Sequence, residues 1–174
     1  EHVRRMELTH ETFQRSLGAQ LSSVLRTMAR LELLAIDQVT YDEYVRAMPN
    51  PTVISQISMA PLPGHALIEM STSTALTLVD RLLGGIGSPG LNRRPTELEA
   101  ALISDLMREA QVALKETFEP LVQVEPAVTG VEFNPNFVHG ANPSEMVMVL
   151  SYSLAIVQGL RTEGLMTVCY PFSM

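Results

Sequence analysis

The sequence predicts an α+β domain: an antiparallel sheet with long helices packed outside, built from two pseudo-two-fold duplicated helix–three-strand–helix units. Three observations carry this. Apolar residues make up 46% of the 174 residues, enough for one well-formed core. Two long stretches place apolar residues at helical spacing, and each precedes shorter runs that alternate apolar and polar residues. The order of elements then repeats: helix, three strands, helix; then helix, three strands. A chain of this length buries roughly 70% of its unfolded surface.

The first helix is predicted from Thr9, as its cap, to about Leu34, with Leu17, Leu21, Val24, Met28 and Leu31 forming a stripe and Arg15, Arg26 and Arg30 lying off it. The run Leu34 to Met48 reads as strand, and Pro49-Asn50-Pro51 as a turn. In the next strand Val53, Ser55, Ile57 and Met59 face one way, and Ile54, Gln56 and Ser58 the other. "HALIEMS" is a third strand. Ser71 to Ser73 cap a second helix, which Gly84 and Gly85 end. Thr96 and Glu99 form a capping box at the start of a long helix whose stripe begins at Leu98, continues through Leu102, Leu106 and Ala110, and stops before Pro120. Three strands close the chain: "VQVEPAVTGVEF", "EMVMVLSYSLAI" and "GLRTEGLMTVCYPF", the last two divided near Gln158-Gly159. Val39-Thr40 and Val128-Thr129 occupy similar places in the two halves, as do "MPNPT" and "ANPSE".

Composition narrows the function. A net charge of −7 excludes nucleic acid as a partner, because binding it requires clustered Lys and Arg. No apolar run approaches the ~20 residues that span a bilayer, so direct membrane insertion is not expected. The single cysteine, Cys169, lies in an apolar run and reads as a buried, inert thiol. His2, His10, His65 and His139 show no metal-ligand spacing, so neither a metal nor any other cofactor is expected. The chain opens without Met and stops abruptly after a strand-like run, as the middle of a longer protein would.

The segment "LLGGIGSPGLNRRPTELE" carries the remaining interest. Glycines before a helix often cradle phosphate. Here they follow a helix, no Lys-Ser/Thr accompanies them, and Glu97 and Glu99 already occupy the positive end of the next helix. What remains is a polar connection, residues 84–95, with only Ile86 and Leu91 apolar. Connections of that length serve either as functional loops or as linkers.

These residues resemble the middle domain of the FliM family of bacterial flagellar motor switch proteins. Gly84, Gly85 and Gly87 match its Gly-Gly-x-Gly turn, and Thr96, Leu98 and Glu99 match the opening of its long helix. "LTHETFQRSLGAQLSSVLR" is similar to the family's first helix, and "MTVCYPF" to its closing strand. One departure is Ser88-Pro89-Gly90, where relatives carry a basic residue; Arg93 and Arg94 are expected to supply that charge.

The resemblance implies a single domain over residues 1–174 with the fold of the CheC and CheX phosphatases, its halves at about 9–84 and 96–174 joined by the loop. It implies a place in the cytoplasmic ring at the base of the flagellum, on the cytoplasmic face of the inner membrane. Gly84, Gly85, Ile86, Gly87, Arg93 and Arg94 would contact FliG. Neighbouring FliM subunits would pack side by side, with Arg15, Gln20, Arg26 and Arg30 as candidates on the first-helix side. FliN and phosphorylated CheY would be reached through the full-length protein, whose CheY-binding segment and FliN-like domain are expected to lie outside this chain.

The alternative is a CheY-phosphate phosphatase of the CheC or FliY type. That chemistry needs Glu-x-x-Asn on a helix: the Glu anchors the response regulator and the Asn amide orients water. No Glu here has Asn three positions on, and Asn50, Asn92, Asn134, Asn136 and Asn142 all fall in predicted turns or irregular segments. A non-enzymatic switch component is therefore the expectation.

Overall fold

The computed structural model describes residues 2–87, 91–157 and 162–174. Ser88-Pro89-Gly90 and the break at Gln158-Gly159 lie outside them. The first half runs α1 (His2–Leu25), β1 (Ala29–Thr40), α2 (Tyr41–Arg46), β2 (Val53–Ala60), β3 (His65–Met70) and α3 (Thr72–Leu82). The second runs α4 (Glu97–Phe118), β4 (Glu125–Glu132), a 3-10 turn (Pro135–Phe137), β5 (Met146–Ile156) and β6 (Thr162–Pro171).

All six strands form one antiparallel sheet in the order β1-β5-β6-β3-β2-β4. Exchanging β1 with β4, β2 with β5 and β3 with β6, then reading the order backwards, returns the same order. The duplication is therefore a pseudo-two-fold centred on the β3–β6 pair. The halves interleave: β1 pairs with β5 of the other half, and β4 with β2.

One sheet face meets α1, α3 and α4 in the main core, where Phe13, Leu17, Leu21 and Leu25 pack with Ile103, Leu106, Ala110 and Leu114. The opposite face has a smaller core of Tyr41, Tyr44, Ile54, Leu67, Val138, Val147, Val149 and Cys169, covered by α2 and the 3-10 turn. This explains β2. Val53, Ile57 and Met59 enter the main core as the alternation predicts, yet Ile54 on the other face is also buried. Cys169 is buried as expected, and burial pushes its thiol up to about 12.

Several boundaries differ from the sequence expectation. The first helix ends at Leu25, not near Leu34, because Arg26 takes a left-handed φ of 53°. The Thr27 N–H then reaches back to the Ser22 carbonyl, closing the turn. Met28 is consequently exposed, while Leu31 is buried from a strand rather than from a helix. Thr9 is no cap; it lies inside α1, with its hydroxyl against the Arg5 and Met6 carbonyls. The predicted strand from Leu34 to Met48 stops at Thr40, which caps α2 in a capping box with Glu43. The counterpart of Thr40 is accordingly Asn134, which caps the 3-10 turn, and not Thr129, which lies within β4. "MPNPT" and "ANPSE" do correspond, each leading from that short helical piece into the next strand.

Candidate functional site

The segment between α3 and α4 is fastened at both ends, and its glycines have three separate causes. Gly84 has φ +91°, its N–H donating to the Arg81 carbonyl, while the Gly85 N–H donates to that of Asp80. That pair of bonds is a Schellman ending. Gly85 has to be small: a Cβ there would lie 2.4 Å from both carboxylate oxygens of Asp80. One of those oxygens accepts the Gly87 N–H at 2.9 Å, and Gly87 itself has φ +81°. The Asp80 side chain thus ties the turn back onto α3, and Ile86 is held outward between two fixed glycines.

The far end is tied equally firmly. The buried Thr72 hydroxyl donates to Asn92 Oδ1 at 2.9 Å, joining the loop to the start of α3. Thr96 caps α4, with the Glu99 carboxylate returning to its N–H as the sequence predicts. Arg93 grips the same carboxylate through two bonds, at 2.7 and 2.9 Å. That fork, together with the Thr96 N–H, holds the Glu99 carboxyl down to about 2. The Arg93 charge is therefore already neutralised on the domain. The Arg94 guanidinium sits 5.8 Å from the Phe133 ring centroid.

The segment presents more apolar surface than its composition suggests. Leu83, Ile86, Leu91 and Leu98 are 68, 65, 69 and 70% exposed. Leu98 had been expected in the core stripe of α4; in the first turn it points to solvent, and Ile103 is the first fully buried apolar residue of that helix. The sequence displays the glycines, Ile86 and the capping box; the tie through Asp80 and the exposure of Leu83 and Leu98 come from the structure. An Asp four residues before a helix-ending glycine was the available signal, since that position is C3 of the Schellman turn.

Of the residues expected on the first-helix side, Arg15 and Arg30 line one shallow groove with Gly18, Ala19, Ser22 and Met28. Arg26 and Arg30 are not on the helix: Arg26 ends α1 and Arg30 begins the edge strand β1. Gln20 and Arg26 do not line that groove. None of the five asparagines lies in an α-helix, Asn136 being in the 3-10 turn. The amide nearest a Glu-x-x-Asn arrangement is Gln14, three residues after Glu11, and its carbonyl accepts the Leu33 N–H.

This six-stranded, pseudo-symmetric architecture is the CheC-like one. The solved structures of FliY from Thermotoga maritima (TM-score 0.82, 13% identity, covering 97% of this chain and 90% of that one) and CheX from Vibrio vulnificus (0.56, 12%, 91% and 95%) share the fold. Within that class, the model of the flagellar motor switch protein FliM matches residues 1–174, and the chain belongs to the FliM family. FliM of Borreliella burgdorferi is 33% identical over 174 residues, covering 99% of this chain and 49% of the relative. FliM of Bacillus subtilis is 33% identical, covering 98% and 51%. The chain thus spans about half the length of these relatives. A crystal structure of a FliG–FliM complex from H. pylori contains a chain 32% identical with a TM-score of 0.88, covering 97% of this chain and 92% of that one.

Proposed function

We propose that the chain is the middle domain of a rotor-switch component that binds FliG through the turn at Gly84, Gly85, Ile86 and Gly87. The observation that carries this reading is the rigid presentation of Ile86, set between glycines whose shape Asp80 enforces. A preformed apolar anchor binds without a large ordering cost. Kinship with the FliM chain of a FliG–FliM complex supports FliG as the partner. Leu83, Leu91 and Leu98 are exposed in and around the same connection, and Arg94 is the remaining basic candidate, Arg93 being held by Glu99.

In the same reading the domain stands beside neighbouring copies through the groove at Arg15 and Arg30. The ring lies at the cytoplasmic face of the inner membrane. Binding of phosphorylated CheY elsewhere in the full-length protein, with FliN alongside, is relayed by rigid-body reorientation into the direction of rotation. The domain is not an enzyme, a reading supported by the commitment of the Gln14 amide to Leu33.

The test is FliG affinity with Ile86→Glu and Gly85→Ala. Ile86 is exposed, so Ile86→Glu should leave the melting temperature unchanged and weaken binding at least about tenfold. Gly85→Ala should weaken it too, by pushing the turn off Asp80. Unaltered affinity in the folded Ile86→Glu protein overturns the assignment, and accelerated decay of phosphorylated CheY overturns the non-enzymatic part.

A further inference from the structure

The sheet face opposite α1, α3 and α4 is only partly covered. Beside α2 it opens into a pocket of about 280 Å³ between α2 and strands β1, β3, β5 and β6. Val39, Met48 and Val149 line it, and Glu69 and Thr167 also reach it. Strand register leads up to this point: Ala35, Ser151, Thr167 and Glu69 lie in one row across four strands. The row is built of small side chains until it reaches the carboxylate.

Glu69 is set in place by neutral donors alone. The Thr52 hydroxyl donates to one oxygen. Thr167 donates to the other at 3.4 Å, and the buried Tyr44 hydroxyl lies 2.7 Å from Thr167 Oγ1. No ion pair among the described residues includes Glu69, and no Lys or Arg lines the pocket. Arg46, the one cation of α2, is turned to Asp42 at 3.0 Å. Asp37, in register with Val149, and Glu43, whose carboxylate accepts the Thr40 N–H, bring the carboxylates of the lining to three. Burial raises the Glu69 carboxyl above its usual range, as befits an anion without a cationic partner.

We propose that this pocket is a second docking point, taking one arginine side chain of a protein partner, with Glu69 as its counter-ion and Val39, Met48 and Val149 against its stem. Charge complementarity selects a cation. The apolar walls select one with an aliphatic stem, which excludes a bare metal ion or ammonium. Arginine is favoured over lysine because its guanidinium is weakly hydrated and forks onto a carboxylate while keeping donors for Asp37. A carboxylate serving only to brace β2 against β3 would need no open apolar pocket above it. The site is on the opposite sheet face from the turn at Ile86, so it does not depend on FliG being the partner there.

The experiment is titration of the isotopically labelled chain with acetyl-Gly-Arg-Gly-amide, and with the same peptide carrying citrulline, the neutral isostere. One side chain gives a weak dissociation constant, ~1–10 mM. The arginine peptide should shift the amide signals of Tyr44, Val149 and Thr167, and citrulline should bind at least about tenfold more weakly. Glu69→Gln, which keeps the acceptor for Thr52, should lose the same factor. Equal binding of the two peptides, shifts centred elsewhere, or none by ~10 mM would overturn the proposal. The peptide comparison uses the unaltered chain, so it decides even where Glu69→Gln fails to fold.

Discussion

His10 lies in the first helix with 4% of its surface exposed, its ring 4.7 Å from the Tyr152 ring and hydrogen-bonded to the Tyr152 hydroxyl. Phe13 completes the aromatic cluster. Desolvation lowers the imidazole pKa from 6.5 to about 4. Between those values the unfolded chain binds a proton that the folded one refuses. The contribution is therefore complete above pH 6.5 and is lost as pH falls towards 4. The shift corresponds to about 3 kcal/mol. The Glu99 contribution is lost only below 4.5, so the two windows overlap only between about 4 and 4.5. Glu69, raised by burial, works in the opposite sense and gains as pH falls. Urea unfolding at pH 7, 5.5 and 4.5 should show stability falling across that range, with His10→Phe flattening the slope whatever it does to the level at pH 7. An unchanged slope would mean that His10 titrates normally. The sequence displayed this histidine among four without showing its role, because burial comes from Tyr152, which is 142 residues away.

At the scale of elements, legibility followed the punctuation. Helix α4 was readable at both ends, from Thr96 and Glu99 to Pro120. The end of α1 was not, because its left-handed residue is Arg26 rather than glycine, and Leu31 fits the helical stripe as well as the strand alternation. Thr40-x-x-Glu43 was a second capping box in plain view, overridden by the strand-like Val39, Tyr41 and Val45. The fastening of the two sheet edges had no local signature at all. Both edge strands bulge, β1 at Leu34 and β4 at Thr129. At each bulge a glutamine from the long helix of the same half closes the open edge: Gln14 accepts the Leu33 N–H, and Gln111 accepts that of Val128 at 2.8 Å. These are the same device on the two sides of the pseudo-two-fold, and they guard edges otherwise open to strand addition. Gln14→Leu should speed amide exchange at Leu33 by roughly five- to tenfold and leave Val128 unaffected, and Gln111→Leu should do the reverse. Hydrogen exchange read by NMR checks both; unchanged rates would make the contacts incidental.

The whole molecule adds a constraint that the order of elements could not convey. Repetition along the chain marks two units, and each unit does carry its own long helix and β-hairpin. The sheet, however, places β5 and β6 between β1 and its own hairpin β2–β3. A first half alone would leave β1 with no strand to pair, and a second half alone would leave β4 likewise. Each would also expose the face of its long helix, since α1 and α4 bury Leu17, Leu21, Leu106 and Leu114 in one shared core. Fragments 1–87 and 91–174 should therefore each lack cooperative unfolding, yet assemble into a folded 1:1 complex when mixed. Cutting the chain there removes its connectivity, whose entropic effect grows only slowly with length. Near-ultraviolet circular dichroism should stay featureless for each fragment and regain native intensity on mixing. A first fragment that folds alone would refute the claim that interleaving, rather than stacking of two finished halves, holds the domain together.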